Sequence, residues 1–169
     1  FMPGPHKTVM DKLEQLKLHE IDLTAGAVLE TGCVYVVPLL ESLSLSQELA
    51  ASANPKSSTG RLDIFTRIIA DRAQEFDKIP AGYRGPLYLE VSPRTFPIIA
   101  RTGSRLSQMR FRRGDARLSG KDTTALHQHE PLVDGPLQVA NGLLLSIDLS
   151  EAAGRIVGYR AKRHTGVID

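Results

Sequence analysis

The chain has 169 residues, of which 41% are hydrophobic and 24% charged, and a formal net charge of +2. That is enough chain for one domain with a sizeable core, and the composition is ordinary for a globular protein. The charge is too small to argue for a nucleic-acid surface by itself, no run of about 18 apolar residues marks a membrane span, and no basic stretch leads into an apolar leader.

The single cysteine, Cys33, excludes an internal disulfide framework and fits a reducing, cytoplasmic setting. Phe1-Met2-Pro3 and Val167-Ile168-Asp169 give both ends a cut look, so the expectation is a piece of a longer protein.

The clearest helix runs from Thr8 to Lys17. Val9, Leu13 and Leu16 recur at helical spacing, and Thr8 or Asp11 can cap it. From Ile21 the period changes. Ala27–Glu30, Cys33–Val37, Leu49–Ala53, Leu87–Val91, Pro97–Ala100 and Leu106–Phe111 read as strands, each bounded by Gly, Pro, Ser or Asn. Turn signals recur roughly every ten residues, the spacing of a sandwich or barrel. Ile64–Ala73 reads equally as strand or short helix. Gly114–Pro131 is polar and reads as a loop or linker. Leu137–Asn141, Gly142–Leu149 and Arg155–Lys162 form a second β-rich stretch, with Glu151-Ala152-Ala153-Gly154 as a hairpin loop. The expected division is a core over residues 1–114, a linker over 115–131 and a second β-rich region over 132–169.

A zinc deaminase site needs a Cys-x-x-Cys pair, which one cysteine cannot supply. His127-Gln128-His129 would put two imidazoles on one face of a strand, but no third ligand stands near them in sequence. Cys33 sits in an apolar run, where a thiol is usually inert filling. There is no Gly-x-Ser-x-Gly elbow, and Lys56-Ser57 lacks the glycines of a phosphate loop. The arginines from Arg101 to Arg117 have almost no interleaved aromatics and read as dispersed surface charge.

Lys56-Ser57-Ser58-Thr59-Gly60-Arg61 is different. It packs three hydroxyls, two cations and a glycine into six residues directly after a strand. Backbone N–H groups, a lysine point charge and a planar guanidinium suit an oxyanion. An exposed polar turn opening a helix has the same composition. Glu90 is the second anomaly, a carboxylate closing the apolar run Leu87-Tyr88-Leu89. Buried and unpaired, it would have a raised pKa suited to acid–base work. Alternation also permits it to face outward, opposite Leu87 and Leu89. Before it, Gly82-Tyr83-Arg84-Gly85 makes a tight turn carrying an aromatic.

Taken together, these residues resemble the dCTP deaminase family of the dUTPase superfamily, and are most similar to its longer bacterial type. The Lys56–Arg61 run matches an Arg/Lys-Ser-Ser-x-Ala/Gly-Arg motif. Phe76-Asp77, Gly82-Tyr83-Arg84-Gly85 and Leu89-Glu90 match a following Asp, Gly-(Trp/Tyr)-x-Gly and Leu-Glu series, in order, over about Ile21–Gly114. Two departures stand out: Lys56 occupies a position where many members have Arg, and Lys78-Ile79 is inserted between Asp77 and Pro80.

The resemblance implies a mainly β fold, a distorted β-barrel or jelly-roll with a short N-terminal helix. It implies a homotrimer, or a pseudo-trimer of related domains, with sites at the interfaces. The implied reaction is hydrolysis of dCTP to dUTP and ammonia, with Mg²⁺ carried on the triphosphate, no protein metal ligands and no zinc. By position, Glu90 would be the general base, while Ser57 and Arg61 would hold the water and the intermediate. Lys56 and Ser58 would bind phosphates, the Ala73 backbone the base, Asp77 the 3′-hydroxyl and Tyr83 the sugar. Gln108 aligns near a strand that often carries Gln. The alternatives are a dUTPase, an enzyme doing both reactions, and a non-catalytic nucleotide-binding or assembly domain.

Overall fold

The computed structural model describes residues 1–115, 117–150, 156–159, 162 and 166–169. The chain divides into two units, one made of Phe1–Gly114 with Ala161–Asp169 and the other of Asp115–Arg160.

The first unit opens with helix α1, Val9–Leu16. Thr8 caps it reciprocally: Asp11 N–H donates to Thr8 Oγ1 at 3.1 Å, and Thr8 N–H donates to Asp11 Oδ2 at 3.0 Å. Strands β1 (Ala27–Leu29), β2 (Tyr35–Ser44) and β3 (Leu49–Pro55) follow, then a short helix α2 (Ser57–Arg61). Strands β4 (Ile64–Ala70), β5 (Lys78–Ile79), β6 (Arg84–Pro93), β7 (Ile98–Ala100) and β8 (Ser107–Arg113) complete the unit.

Three antiparallel sheets result, ordered β1-β7, β2-β6-β4 and β5-β3-β8. All three face one core. Leu29, Ile98 and Ala100 come from the first, Ile64, Ile68, Leu87, Leu89 and Val91 from the second, and Ala51, Ala53 and Ile79 from the third. The expected β architecture with a short N-terminal helix is present. The ambiguous stretch from Ile64 is a strand, because β6 offers it a continuous partner from Ile64↔Pro93 to Ala70↔Leu87. The inserted Lys78-Ile79 is itself β5, pairing with Ser52 and Ala51 and burying Ile79 to 2% exposure.

Strand β6 is buried from Leu87 to Pro93, on both faces. Leu87, Leu89 and Val91 meet the main core. The opposite face carries Tyr88, which joins Val9 of α1 and Ile69 of β4 in a second cluster, lined by Phe1, Leu13, Val36, Ala73 and Phe76. The N-terminal segment and α1 therefore cover the side of the sheet to which alternation assigns Glu90.

One expectation of the first unit changes. Cys33 is exposed, in the turn before β2 rather than inside a strand. The Gly82–Gly85 turn has both glycines at positive φ, +76° and +153°. A Cβ on Gly82 would also come within 2.6 Å of the Gln47 side chain.

In the second unit the polar stretch expected as a loop contains helix α3, Gly120–His129. Ser119 and Asp122 form its capping box, and Thr123 is buried. A helix turns side chains two apart by about 200°, so His127 and His129 diverge instead of sharing a strand face. His127 Nδ1 accepts the Leu132 N–H at 3.0 Å. The expected strands over Leu137–Leu149 reduce to a single bridge, Val139↔Leu143. The expected hairpin loop Glu151–Gly154, and Arg155, Arg160 and Ala161 of the expected last strand, lie outside the described residues.

Candidate active site

The register of the β2-β6-β4 sheet places Glu90 between Val36 and Arg67. Glu90 is 2% exposed. Its carboxylate is held on two sides. Arg67 Nε donates to Oε1 at 3.0 Å, and Arg67 Nη2 donates to the same oxygen. The α-amino group of Phe1 donates to Oε2 at 2.7 Å. The Arg67 guanidinium lies 3.6 Å from the Phe76 ring centroid and 4.9 Å from that of Phe65, which fixes its plane by cation–π attraction.

Burial pushes the Glu90 carboxyl upward. The hydrogen bonds from Phe1 and Arg67, and their charges, outweigh that push and hold it below the ordinary glutamate value. The raised pKa expected of an unpaired buried glutamate gives way to a lowered one because this carboxylate is paired.

Asp77 stands on the return from β4. It is a non-glycine residue at φ +60°, a conformation held by three bonds. Its Oδ1 accepts the Ile68 N–H at 2.7 Å, its own N–H donates to Ile68 O at 2.9 Å, and its carbonyl accepts the Ala53 N–H at 2.8 Å. Burial raises its pKa, offset in part by the Ile68 hydrogen bond and the Arg67 charge. Tyr83 is half-buried; its hydroxyl donates to Pro86 O at 2.5 Å and accepts the Asp71 N–H at 3.2 Å. Burial raises its pKa too. The Ala73 backbone is engaged within the chain: its N–H donates to Ala70 O at 3.2 Å and its carbonyl accepts the Gly4 N–H at 3.1 Å.

The second group of candidates sits on α2. Lys56 is the N-cap and donates its backbone N–H to Leu106 O at 3.0 Å. Buried Thr59 donates its hydroxyl to the same carbonyl at 2.8 Å, so α2 is pinned to the approach to β8. Ser57, Ser58 and Arg61 are exposed. Gln108 is exposed on β8, directly opposite Asn54. Among the described residues, no hydrogen bond or ion pair joins these α2 side chains to Glu90, Asp77 or Tyr83. Two buried polar atoms have no partner among the described residues: Asn54 Oδ1, just before α2, and Ser92 Oγ, two residues beyond Glu90 on β6.

Arg67 is the partner of Glu90 that motif reasoning missed. The signal was available, since Arg67 and Glu90 are lone charges of opposite sign inside apolar strand runs. The arginine series, by contrast, is partly tied up in surface ion pairs, Arg101 with Asp169, Arg113 with Glu48 and Arg117 with Asp115. Among the described residues, no three His, Cys, Asp or Glu side chains gather as a metal site, and no helix is long and apolar enough to cross a membrane.

Residues 1–115 match the family profile of the 2′-deoxycytidine 5′-triphosphate deaminase N-terminal domain, and residues 119–169 that of its C-terminal domain. The chain belongs to the 2′-deoxycytidine 5′-triphosphate deaminase family. It is similar to the crystal structure of 2′-deoxycytidine 5′-triphosphate deaminase from Agrobacterium tumefaciens, with 62% identity and a TM-score of 0.76. That likeness covers 100% of this chain and 50% of the other, so the chain spans half the length of that relative. No curated protein sequence matches it. Every candidate from Lys56 to Gln108 falls within the part matched by the deaminase N-terminal profile.

Proposed function

We propose that the protein hydrolyses the 4-amino group of dCTP, giving dUTP and ammonia, with Glu90 as the general base. The carrying observation is a buried carboxylate at Glu90, held by Arg67, within the stretch matched by a deaminase family profile. Glu90 takes a proton from water as the water oxygen bonds to C4, and delivers it to ring N3. The added hydroxyl then gives up its proton to the amino group, the C–N bond breaks, ammonia leaves and the C4 carbonyl forms. One carboxylate serves both transfers in turn.

Ser57 and Arg61 would hold the attacking water and the developing anion, and Lys56 and Ser58 would bind phosphates. Asp77 would bind the 3′-hydroxyl and Tyr83 would pack on the sugar. The Ala73 carbonyl would reach the base with the lone pair that Gly4 leaves free, and Gln108 would stand at the margin of the site. Mg²⁺ would enter as part of the substrate, on its triphosphate.

The exposure of Ser57, Ser58 and Arg61, with no hydrogen bond or ion pair to Glu90 among the described residues, supports a site completed between subunits. A homotrimer, or a pseudo-trimer of related domains, would bring α2 of one copy to Glu90 of another. Two buried polar atoms without a partner among the described residues fit the same arrangement, Asn54 Oδ1 just before α2 and Ser92 Oγ two residues beyond Glu90. The division into a core over 1–114, a connecting segment over 115–131 and a second region over 132–169 belongs to this reading, as does a cytoplasmic location.

Purified protein is incubated with dCTP and with dUTP, and ammonia and pyrophosphate are followed separately. Ammonia from dCTP is expected, reduced about 10²–10⁴-fold in Glu90→Gln, the usual contribution of a positioned general base. Pyrophosphate from dUTP would add a dUTPase activity. Ammonia release that survives Glu90→Gln in a folded protein overturns the assignment.

A further inference from the structure

One charged side chain at this site has no task in the proposed chemistry. Arg67 lies directly across the β4–β6 ladder from Glu90 and spends both donors of one guanidinium edge on a single oxygen, Oε1. Its plane is set by Phe76 and Phe65, at 3.6 and 4.9 Å. We infer that Arg67 is a positioning residue for the deamination: it locks the Glu90 carboxylate in one orientation with Oε1 consumed, so that Oε2 alone exchanges protons with water and pyrimidine. The inference rests on the deaminase reading.

The geometry favours this over simple charge neutralisation. A buried carboxylate with two free oxygens can rotate and present either one. A guanidinium edge on Oε1, itself over the Phe76 ring and near Phe65, removes that freedom before substrate arrives, which is the preorganisation that proton transfer rewards. Oε2 is the oxygen that Arg67 leaves to another donor. Lysine could neutralise Glu90, but it has no planar fork and cannot stack in the same way.

The charged groups around Glu90 are few. Arg67 faces it from β4 and the α-amino group from the N-terminal segment. Lys12 of α1 reaches over the Phe1 ring, 5.6 Å from its centroid. Asp77, beyond Ile68, feels the Arg67 charge, and Asp71 accepts the Val9 N–H. The β2 neighbour, Val36, is uncharged. With Arg67 gone, burial acts on Glu90 with one counter-charge fewer, so its carboxyl titrates at higher pH.

The test uses the full-length protein with Arg67→Gln and Arg67→Lys. Steady-state kinetics on dCTP are run across pH, and the Glu90 carboxyl is titrated by carbon NMR in protein labelled at glutamate. In Arg67→Gln, kcat falls about 10²-fold, the loss expected when a reacting group is misplaced by about an ångström. KM for dCTP holds, and both the acid limb of kcat and the Glu90 titration move to higher pH. Arg67→Lys restores the titration but not kcat. A raised KM with unchanged kcat makes Arg67 a substrate contact and overturns the inference. So does a fall in kcat with an unmoved acid limb and an unmoved titration. If Arg67→Gln fails to fold, Arg67→Lys decides, because full kcat in that variant refutes the need for the fork. If the wild-type protein releases no ammonia from dCTP, the deaminase reading fails on its own. The Glu90 titration still judges Arg67 in that case, an unmoved curve in Arg67→Gln or a displaced one in Arg67→Lys overturning the inference.

Discussion

The Glu90–Arg67 pair makes a stability prediction that can be worked from its geometry. Glu90→Gln leaves a guanidinium facing a neutral amide. Removing one partner of a fully buried ion pair costs about 3–5 kcal/mol, because the other charge stays desolvated. The Arg67 side chain keeps 29% of its exposure, so water recovers part of that loss, and we expect about 2–3 kcal/mol. Arg67→Met should cost about the same or somewhat less, since the stranded carboxyl can take up a proton. Both changes delete one interaction, so the double variant should cost less than the sum, by about 1–3 kcal/mol. The pH dependence has a definite sign. The folded pKa of Glu90 lies below its ordinary value of 4.5, so its contribution is fully present above that value. It is lost as pH falls through the lower, folded value. The chain has no tryptophan, so urea unfolding followed by far-ultraviolet circular dichroism is the assay, near neutral pH and in acid. Additivity within about 0.5 kcal/mol near neutral pH would refute the pairing, as would a coupling that persists unchanged in acid.

Ile69, 0% exposed between α1 and the sheet, should cost about 2–5 kcal/mol when replaced by Ala; chemical denaturation reads this, and early loss of amide protection over Val9–Leu16 locates it. Asp77 has a folded pKa above its ordinary 3.8, so it favours folding below that value and loses this as pH rises through the folded pKa. Asp77→Asn should therefore be neutral or stabilising near neutral pH, by up to about 1 kcal/mol, while raising KM for dCTP; a large loss of stability in thermal melts would contradict this. Gly82→Ala forces a side chain onto φ +76° and should cost about 1–2 kcal/mol, measurable as a lowered urea midpoint.

Much of the fold was legible because it rests on local signals. Each strand expected between Ala27 and Phe111 is present, displaced at the ends where pairing decides the boundary. The two faces of Leu87-Tyr88-Leu89-Glu90-Val91 followed from alternation, and the structure sends Leu87, Leu89 and Val91 to the main core. The errors share a cause. Cys33 was assigned by hydrophobic neighbours, yet the turn before β2 leaves its thiol exposed. The apolar residues of Leu137–Leu149 alternate well enough for strands, but alternation makes a sheet only where partners exist, and one bridge is what forms. Helix α3 reads as a loop because its composition is polar, although Ser119 and Asp122 spell a capping box.

The candidate site divides along the same line. Lys56–Arg61 was readable because its residues are contiguous, and a five-residue helix displays them. Its local structure is nevertheless the polar turn opening a helix that composition alone allowed. Glu90 was readable as an anomaly in its strand, but its ionisation was not, because that depends on which residue the ladder sets opposite. A slip of one residue would place Thr66 or Ile68 there and leave the buried carboxyl without its guanidinium, which moves its pKa upward. Register is a property of whole strands, fixed here by the pairing of Ile64–Ala70 against Leu87–Pro93 and by the apolar residues both strands send to the core. The packing of residues that never touch Glu90 therefore decides whether Arg67 reaches it, and mutations along the β4–β6 ladder should act on chemistry through Glu90 before they act on binding.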